Sequence, residues 1–160
     1  MPPAAASAER ARRPRWALAI GVAALAACTA SGPLQPFATD GCSLFPDRSL
    51  ISQADWCTCC VAHDLAYWRG GTASERLAAD QALAACVQQA SGNAALAQVM
   101  YAGVRAGGGS HLYTPFRWGY GWPYGRPDRP LTADEAAQAT TLERAYRDQH
   151  PVLACPAPPP

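Results

Sequence analysis

The sequence predicts a mainly α-helical domain that is held together by disulfide bonds. Several segments combine a helix-capping signal with a glycine stop, and no stretch shows the alternation expected of a strand. At 160 residues the chain is long enough for one domain. Of its seven cysteines, Cys28 lies at the end of an N-terminal apolar run. The other six are an even number, which in a small exported domain favours a disulfide framework. They are Cys42, Cys57, Cys59, Cys60, Cys86 and Cys155.

The N-terminal 27 residues are predicted to be an export signal. A basic start is followed by "WALAIGVAALAA", an apolar run too short to cross a bilayer as a finished helix. The run ends in "LAAC", which resembles the lipobox of bacterial lipoproteins and implies cleavage before Cys28 and lipidation of that residue. We therefore expect a lipid-anchored protein of the bacterial cell envelope, in the outer membrane. An ordinary cleaved signal or a retained anchor are the alternatives.

The charge of the remaining chain argues against a nucleic-acid partner. Without residues 1–27 the chain has nine arginines, no lysine and eleven acidic residues. No basic stripe remains that would attract a phosphate backbone.

The first elements after the signal are a tether, a loop and a helix. Residues 28–39 are predicted to be a flexible tether, and residues 40–47, "DGCSLFPD", a loop with turn residues. Ser52, followed by Asp55, is expected to start a helix that runs to about Trp68 and stops at the Gly70-Gly71 pair.

Three further helices follow from their caps. "TASE" at 72–75 is a capping box for a helix to about Gln89, Asn93 is expected to cap a third helix, and "TADE" at 132–135 opens a fourth that runs to about His150. Residues 107–130 are predicted to be irregular, and residues 156–160 form a proline-rich tail after Cys155.

The first two helices, taken as an antiparallel pair, bring specific side chains together. In such a pair, facing residues have a nearly constant sum of residue numbers. His63 with Asp80, and Cys59 with Cys86, fit one register to within about half a helical turn. Cys59, His63 and Tyr67 are spaced four residues apart and share one face. One geometry therefore permits both a Cys59–Cys86 bridge and a His63–Asp80 hydrogen bond.

This arrangement indicates general-base chemistry beside a cation. A carboxylate next to one imidazole nitrogen fixes the tautomer and leaves the other nitrogen able to accept a proton from water. Asp64 points to the neighbouring face of the helix, where its carboxylate and carbonyl groups of the 40–47 loop would suit Ca²⁺. Such a cation would polarise an ester carbonyl.

Two motifs resemble the secreted phospholipase A2 family. "CCVAHDLAY" resembles the family's "CCxxHDxCY" active-site helix, and "DQALAACV" resembles its second long helix, with an aspartate six residues before a cysteine. The resemblance covers residues 40–88. It implies that His63 is the general base, Asp80 its carboxylate partner and Tyr67 the hydrogen-bond donor to Asp80. It also implies that Asp64 binds calcium and that the substrate is a glycerophospholipid at a membrane surface.

The resemblance also implies the disulfide pairing. Cys59 would pair with Cys86 and Cys60 with Cys42, which leaves Cys57 and Cys155 as the third pair. The family's next bridge is absent at both ends, because Ala66 and Ala79 stand in its place. The domain of this type would span residues 40–155.

The calcium loop and the aromatic segment depart from the family pattern. The loop has a single glycine, so carbonyl groups near Gly41, Ser43 and Phe45 are the candidate calcium ligands, with the Asp47 side chain as a substitute. In place of the family's β-wing, residues 107–130 would present aromatic side chains to a lipid interface. These are Trp118, Tyr120, Trp122 and Tyr124.

Two other interpretations stay open. The chain could be a catalytically silent envelope lipoprotein that uses the disulfide-linked helix pair for binding or as a scaffold. Alternatively, the clustered cysteines with His63 could bind zinc, although their spacing differs from that of common zinc sites and an exported protein meets an oxidising environment.

Overall fold

The protein folds into a mainly helical structure, as predicted. The computed structural model describes Met1, residues 32–150 and Cys155. Four α-helices follow in chain order: α1 (Cys57–Arg69), α2 (Ala73–Ser91), α3 (Ala94–Gly107) and α4 (Ala133–Gln149). Within these described residues there is no strand, only an isolated antiparallel bridge between Arg48 and Asp55. The predicted cleavage site, the lipidation at Cys28 and the tail 156–160 lie outside the described residues.

The predicted start of the first helix at Ser52 is wrong, because α1 begins five residues later. The hydroxyl groups of Ser49 and Ser52 accept hydrogen bonds from backbone N–H groups two to three residues on, which stabilises turns instead of a helix. The N-cap is Trp56, whose side chain makes no capping bond, and Asp55 before it accepts from the N–H of Cys57, the first helical residue, at 2.9 Å. Polar side chains that bond their own backbone thus hold 48–56 as a loop.

The other three predicted helix starts are confirmed. Thr72 and Thr132 each form a reciprocal capping box, with Glu75 and Glu135 respectively, and Asn93 accepts from the Leu96 N–H at 3.0 Å. The α2 helix ends at Gly92, in the left-handed conformation that glycine adopts without strain. These local signals were sufficient to predict the three helix starts, because each cap satisfies backbone N–H groups that lie within four residues of it.

The helix α1 separates two hydrophobic clusters. On one side it packs against α2, which in turn packs against α3, around side chains such as Leu83, Val87 and Met100. On the other side, Val61 and Trp68 meet Trp122 and Ala139 of α4. Of the α2 alanines, Ala84 packs against the first cluster, and most of the others are exposed.

The part of the predicted tether that the structure describes belongs to the folded domain. Leu34 and Phe37 are buried, and Phe37 packs edge-on against the rings of Trp68 and Tyr146. The backbone carbonyl of Gln35 accepts from the Trp68 indole at 2.7 Å. The turn-forming residues of this segment predicted a flexible tether. Burial of the Leu34 and Phe37 side chains instead holds the segment against the domain.

Residues 111–130 are irregular, as predicted, but their tryptophans do not face a lipid interface. Trp118 and Trp122 are buried, and their indole N–H groups donate to the carbonyls of Gly71 and Arg69 at the end of α1. Of the two tyrosines that were expected at the interface, Tyr120 is half-buried and Tyr124 is exposed. The aromatic segment therefore packs against the end of α1, since indole rings combine apolar area with a donor that needs a partner.

Among the described residues there are three disulfide bonds, and they join the three pairs that the phospholipase A2 resemblance implies. These are Cys42–Cys60, Cys57–Cys155 and Cys59–Cys86. Two of them tie α1 to α2 and to the 40–47 loop, and the third ties the start of α1 to the C-terminal segment. Among the described residues, none of the helices combines the length and the apolar character that a membrane span requires.

Candidate active site

The centre of the candidate site is a buried histidine–aspartate pair. His63 on α1 and Asp80 on α2 lie opposite each other, and His63 Nε2 is 2.9 Å from Asp80 Oδ1. Asp80 is completely buried and His63 is 8% exposed. Because Asp80 is held as a carboxylate, Nε2 carries the proton and donates it. The predicted meeting of these two side chains is confirmed.

Tyr67 supports the carboxylate from one helical turn further along α1. Its hydroxyl donates to Asp80 Oδ1 at 2.7 Å, and its ring lies against the His63 ring with centroids 4.2 Å apart. Burial raises the pKa of Tyr67, so the hydroxyl stays protonated and remains a donor. Gly108 leaves the space that the tyrosine needs, since a Cβ there would lie 2.5 Å from the ring.

Asp80 remains ionised although it is buried. Burial alone would raise its pKa, but hydrogen bonds from His63, Arg105 and Tyr67 outweigh burial and hold the pKa below its usual value. The Arg105 Nη1 donates to Asp80 Oδ2 at 2.6 Å, and the Arg76 Nε is 3.9 Å from the same oxygen. The buried negative charge is therefore compensated by cationic groups of α2 and α3.

The His63 side chain lines a cavity. Asp80 occupies Nε2, and among the described residues Nδ1 is neither paired by a hydrogen bond nor a buried unpaired atom. The cavity has a volume of about 330 Å³ and lies between α1, α3 and the 40–47 loop. A water molecule or an ester in this cavity would therefore meet the nitrogen that Asp80 leaves unoccupied.

The cavity wall is predominantly apolar. Leu83, Met100 and Phe116 contribute to its interior, and Leu44 and Val99 stand at exposed positions of the same wall, 91% and 60% accessible. The ionisable side chains on the wall are His63, Asp64 and two tyrosines, with no lysine or arginine among the described lining residues. This composition suits a long apolar substrate with one polar reacting group.

Asp64 lies on the same wall, beside the histidine. The pKa of Asp64 is raised to about 7, chiefly by burial and also by the nearby Asp40 carboxylate, while a hydrogen bond from Thr39 opposes the rise. The Thr39 hydroxyl donates to Asp64 Oδ2 at 2.6 Å and accepts from the Gly41 N–H at 3.1 Å. A half-buried carboxylate close to a second carboxylate is the setting in which a hard cation relieves repulsion.

The residues around Asp64 offer oxygen groups of the kind that calcium binds, in part from residues that were not named as ligands. The predicted ligands Gly41, Ser43 and Phe45 line the same cavity as Asp64. A second cavity of about 370 Å³ adjoins it, and Thr39, Asp40, Ser43 and Asp64 line that cavity together. Such a set consists of carboxylate, hydroxyl and backbone oxygen atoms, which Ca²⁺ prefers.

Two predicted alternatives for metal binding are not supported. Asp47, the suggested substitute ligand, instead accepts the Cys42 N–H at 2.8 Å and lines neither cavity. The zinc interpretation is wrong, because all three cysteines of "CTCC" are consumed in disulfides. Across the part of the chain that the structure describes, no group of three or more His, Cys, Asp or Glu side chains could hold a metal ion.

Three site residues were missed by sequence reasoning, namely Thr39, Arg76 and Arg105. Asp40 lies in the predicted 40–47 loop, but its carboxylate was not named as a ligand. Arg76 precedes Asp80 by four residues, so the spacing of neighbours on one helix face could have indicated it. Thr39 and Arg105 come from a separate segment and a separate helix, and no local pattern relates them to His63.

Comparisons of the chain with models of protein families, with curated proteins and with solved structures found no match. The likeness to phospholipase A2 enzymes therefore stays a prediction from the two motifs.

Proposed function

We propose that this protein hydrolyses a carboxylic ester of a glycerophospholipid with the help of calcium, in the manner of a phospholipase A2. The observation that carries the proposal is the buried pair in which His63 Nε2 bonds Asp80, on a side chain that lines an apolar cavity beside Asp64. Asp80 fixes one ring nitrogen, and we assign the other, Nδ1, to the substrate-sized space that the ring lines.

The His63 side chain supplies the proton transfers of the proposed reaction. Nδ1 accepts a proton from water while the water oxygen bonds to the ester carbonyl carbon. The tetrahedral intermediate collapses, the bond to the alcohol oxygen breaks, and the His63 imidazolium returns the proton to that oxygen. Asp80 stabilises the imidazolium and holds the ring in one orientation. The products are a fatty acid and a lysophospholipid.

Calcium would be held by Asp64 with oxygen groups from the neighbouring loop. Gly41, Ser43 and Phe45 lie on the same cavity wall, and Asp40 adds a second carboxylate nearby. A bound calcium ion would polarise the ester carbonyl and stabilise the negative charge that develops on its oxygen. The raised pKa of Asp64 supports this assignment, since a buried carboxylate without a cationic partner is unfavourable.

The cavity wall supports a lipid substrate. An apolar wall suits an acyl chain, and the exposed Leu44 and Val99 at that wall suit contact with a membrane surface. Lipidation at Cys28 would place the domain at the bacterial envelope, where such substrates are abundant. We include this location, and the attack at the sn-2 position that the family resemblance implies, in the proposal.

The test is fatty-acid release from mixed phospholipid micelles by the purified domain. Parent protein with millimolar calcium should hydrolyse the substrate, and chelation of calcium should abolish the activity. His63→Ala should lower the rate by about 10²–10⁴-fold. His111→Ala is the matched control, because His111 is exposed and lines neither described cavity. Equal rates for His63→Ala and the parent would reject the assignment of the base.

The second candidate function is a silent binding or scaffold lipoprotein. The single-glycine 40–47 loop favours it, because this loop departs most from the family pattern. Calorimetric titration with calcium distinguishes the two candidates, with Asp64→Asn as the variant that removes the carboxylate charge. Binding by the parent that is lost in Asp64→Asn supports the enzyme, whereas no binding by the parent at millimolar calcium supports the scaffold.

A further inference from the structure

The two oxygens of the Asp80 carboxylate have different partners. Oδ1 accepts from His63 and Tyr67, both on α1. Oδ2 accepts from Arg105 Nη1 on α3 at 2.6 Å, the shortest polar contact of the carboxylate. A carboxylate can rotate about its bond to Cβ, so partners on only one oxygen leave its plane adjustable. Partners on both oxygens fix that plane.

Arg105 is itself held in place by the other arginine of the site. Arg76 on α2 donates from Nη2 to the backbone carbonyls of Val104 and Arg105, at 3.1 and 2.8 Å, and from Nε to the Tyr67 hydroxyl at 3.1 Å. These carbonyls belong to the last turn of α3, where the Val104 carbonyl also accepts from the N–H of the capping Gly108 at 3.0 Å. The last turn of α3 is thereby fixed to the same side chains that surround His63.

We propose that Arg105 is a positioning residue for His63 and acts on it through the Asp80 carboxylate. Its role in catalysis rests on the proposed function, but its role in fixing the histidine does not. The motifs that resemble the phospholipase family end before α3, so this third helix completes the site with a group that those motifs do not contain.

The physical reason is that Oδ2 is buried with the rest of Asp80. Without Arg105 this oxygen would keep only the weak approach of Arg76 at 3.9 Å, and a buried acceptor without a hydrogen bond is unfavourable. We expect the carboxylate to turn toward Arg76, which draws Oδ1 away from His63. The imidazole would then lose its fixed tautomer, and Nδ1 would no longer be held toward the cavity.

The test compares Arg105→Met, Arg105→Lys and a control, Arg147→Met. Arg147 forms an ion pair with Glu143 on α4 and contacts no described residue of the site. In the micelle assay, Arg105→Met should lower kcat about tenfold or more with KM unchanged, because binding of lipid does not involve this side chain. Arg105→Lys should recover part of that loss, since it restores a cation but not the fixed geometry of the guanidinium. Arg147→Met should behave as the parent.

A second readout does not depend on activity. In ¹⁵N spectra of histidine-labelled protein at an alkaline pH, where the ring is neutral, the parent should show His63 as a single tautomer with its proton on Nε2. Arg105→Met should show a mixture of tautomers, while Arg147→Met should keep the single form.

The two readouts separate the inference from the proposed function. If the parent fails to hydrolyse phospholipid, the proposed function fails and the spectra alone decide the role of Arg105. A single Nε2-protonated tautomer in folded Arg105→Met would overturn the inference. An unchanged kcat in that variant, with an active parent, would also overturn it.

If Arg105→Met does not fold, the spectrum and the kcat of Arg105→Lys decide. Loss of the single tautomer or a lowered kcat in Arg105→Lys supports the inference, and parental values of both overturn it.

Discussion

The two sides of helix α1 differ in what holds them together. The side that faces α2 and α3 carries a buried polar cluster, in which His63, Tyr67 and Asp80 are linked by hydrogen bonds. The opposite side carries Val61 and Trp68, which pack against apolar and aromatic groups from three separate segments. One helix thus serves a candidate reaction on one face and stability on the other.

The difference indicates how each side should respond to substitution. A buried polar cluster contributes little net stability because its hydrogen bonds offset the cost of burying charge. An apolar cluster contributes in proportion to the area that it removes from water. Changes in the polar cluster should therefore affect the reaction, and those that leave a buried charge unpaired should also lower stability. Changes on the opposite side should affect the fold and leave the reaction unchanged.

Removal of disulfides gives the largest expected effect on stability. Cys57–Cys155 closes a separation of 98 residues and Cys59–Cys86 one of 27. In the chain-entropy account, loss of the first should cost about 4.7 kcal/mol and loss of the second about 3.5 kcal/mol. Denaturant unfolding of Cys57→Ala/Cys155→Ala and of Cys59→Ala/Cys86→Ala measures both.

The activities of the same two variants also test the difference between the two sides of α1. Cys59–Cys86 joins the helices that carry His63 and Asp80, so its loss should lower kcat of the folded fraction. Loss of Cys57–Cys155 should leave that kcat unchanged. Equal effects of the two variants on kcat would contradict the division between the faces.

Trp68 gives the next largest effect. Its side chain is completely buried on the side away from the site, and its indole donates to the Gln35 carbonyl. Trp68→Ala should lower the free energy of unfolding by about 3–5 kcal/mol. The kcat of the folded molecules should match the parent, as measured by the micelle assay at a temperature below both unfolding transitions.

Glu135 at the start of α4 should show a dependence of stability on pH. Hydrogen bonds from Arg129 first, and also from Arg126 and the Thr132 backbone, lower the pKa of Glu135 to about 2. A carboxyl group with a depressed pKa in the folded state stabilises the fold above its unfolded pKa of about 4.5, and that contribution is lost as pH falls from there to about 2.

Thermal unfolding of the parent and Glu135→Gln tests this dependence. At pH 7 the variant should be less stable by about 1–2 kcal/mol, after allowance for solvent screening of a surface network. The difference between the two proteins should shrink progressively below about pH 4.5. A constant difference down to pH 2 would show that the charge of Glu135 is not its cause.

Substitutions at the helix caps should have the smallest effects on stability, and one cap lies on each side of α1. Thr72 caps α2, which carries Asp80, and Thr132 caps α4 on the opposite side. Substitution of either by alanine should cost about 1 kcal/mol. Chemical denaturation should give similar losses for both, whereas a fall in kcat is expected only for Thr72→Ala, because α2 positions the carboxylate.

The α2-facing side was largely predictable from sequence, because its information is local. One antiparallel register was enough to bring His63 and Asp80 together, and spacing of four residues put Tyr67 on the same face of α1 as His63. The bond from Tyr67 to Asp80 was implied by the phospholipase A2 resemblance. Capping boxes located α2 and α4 for the same reason. Ser52 failed as a helix start because a capping residue is also a turn former, and only the surrounding loop decides between the two.

The opposite side and the outer partners of the site were not predictable, because they depend on contacts between distant segments. Phe37 and Trp122 meet across the end of α1, although each lies in a stretch whose composition indicates a loop. Arg105 reaches Asp80 from a third helix, 25 residues away in sequence. Neither a propensity nor a spacing rule relates residues that share no element.

The most direct test of the account is the rate of fatty-acid release by Asp80→Asn relative to the parent at saturating calcium. Asparagine keeps the size of the side chain but cannot stabilise an imidazolium or fix the same tautomer. The account predicts a fall of about 10²–10⁴-fold in kcat, with disulfides and helix content intact. A variant that hydrolyses phospholipid at the parental rate would contradict it, since the buried pair would then contribute nothing to the reaction.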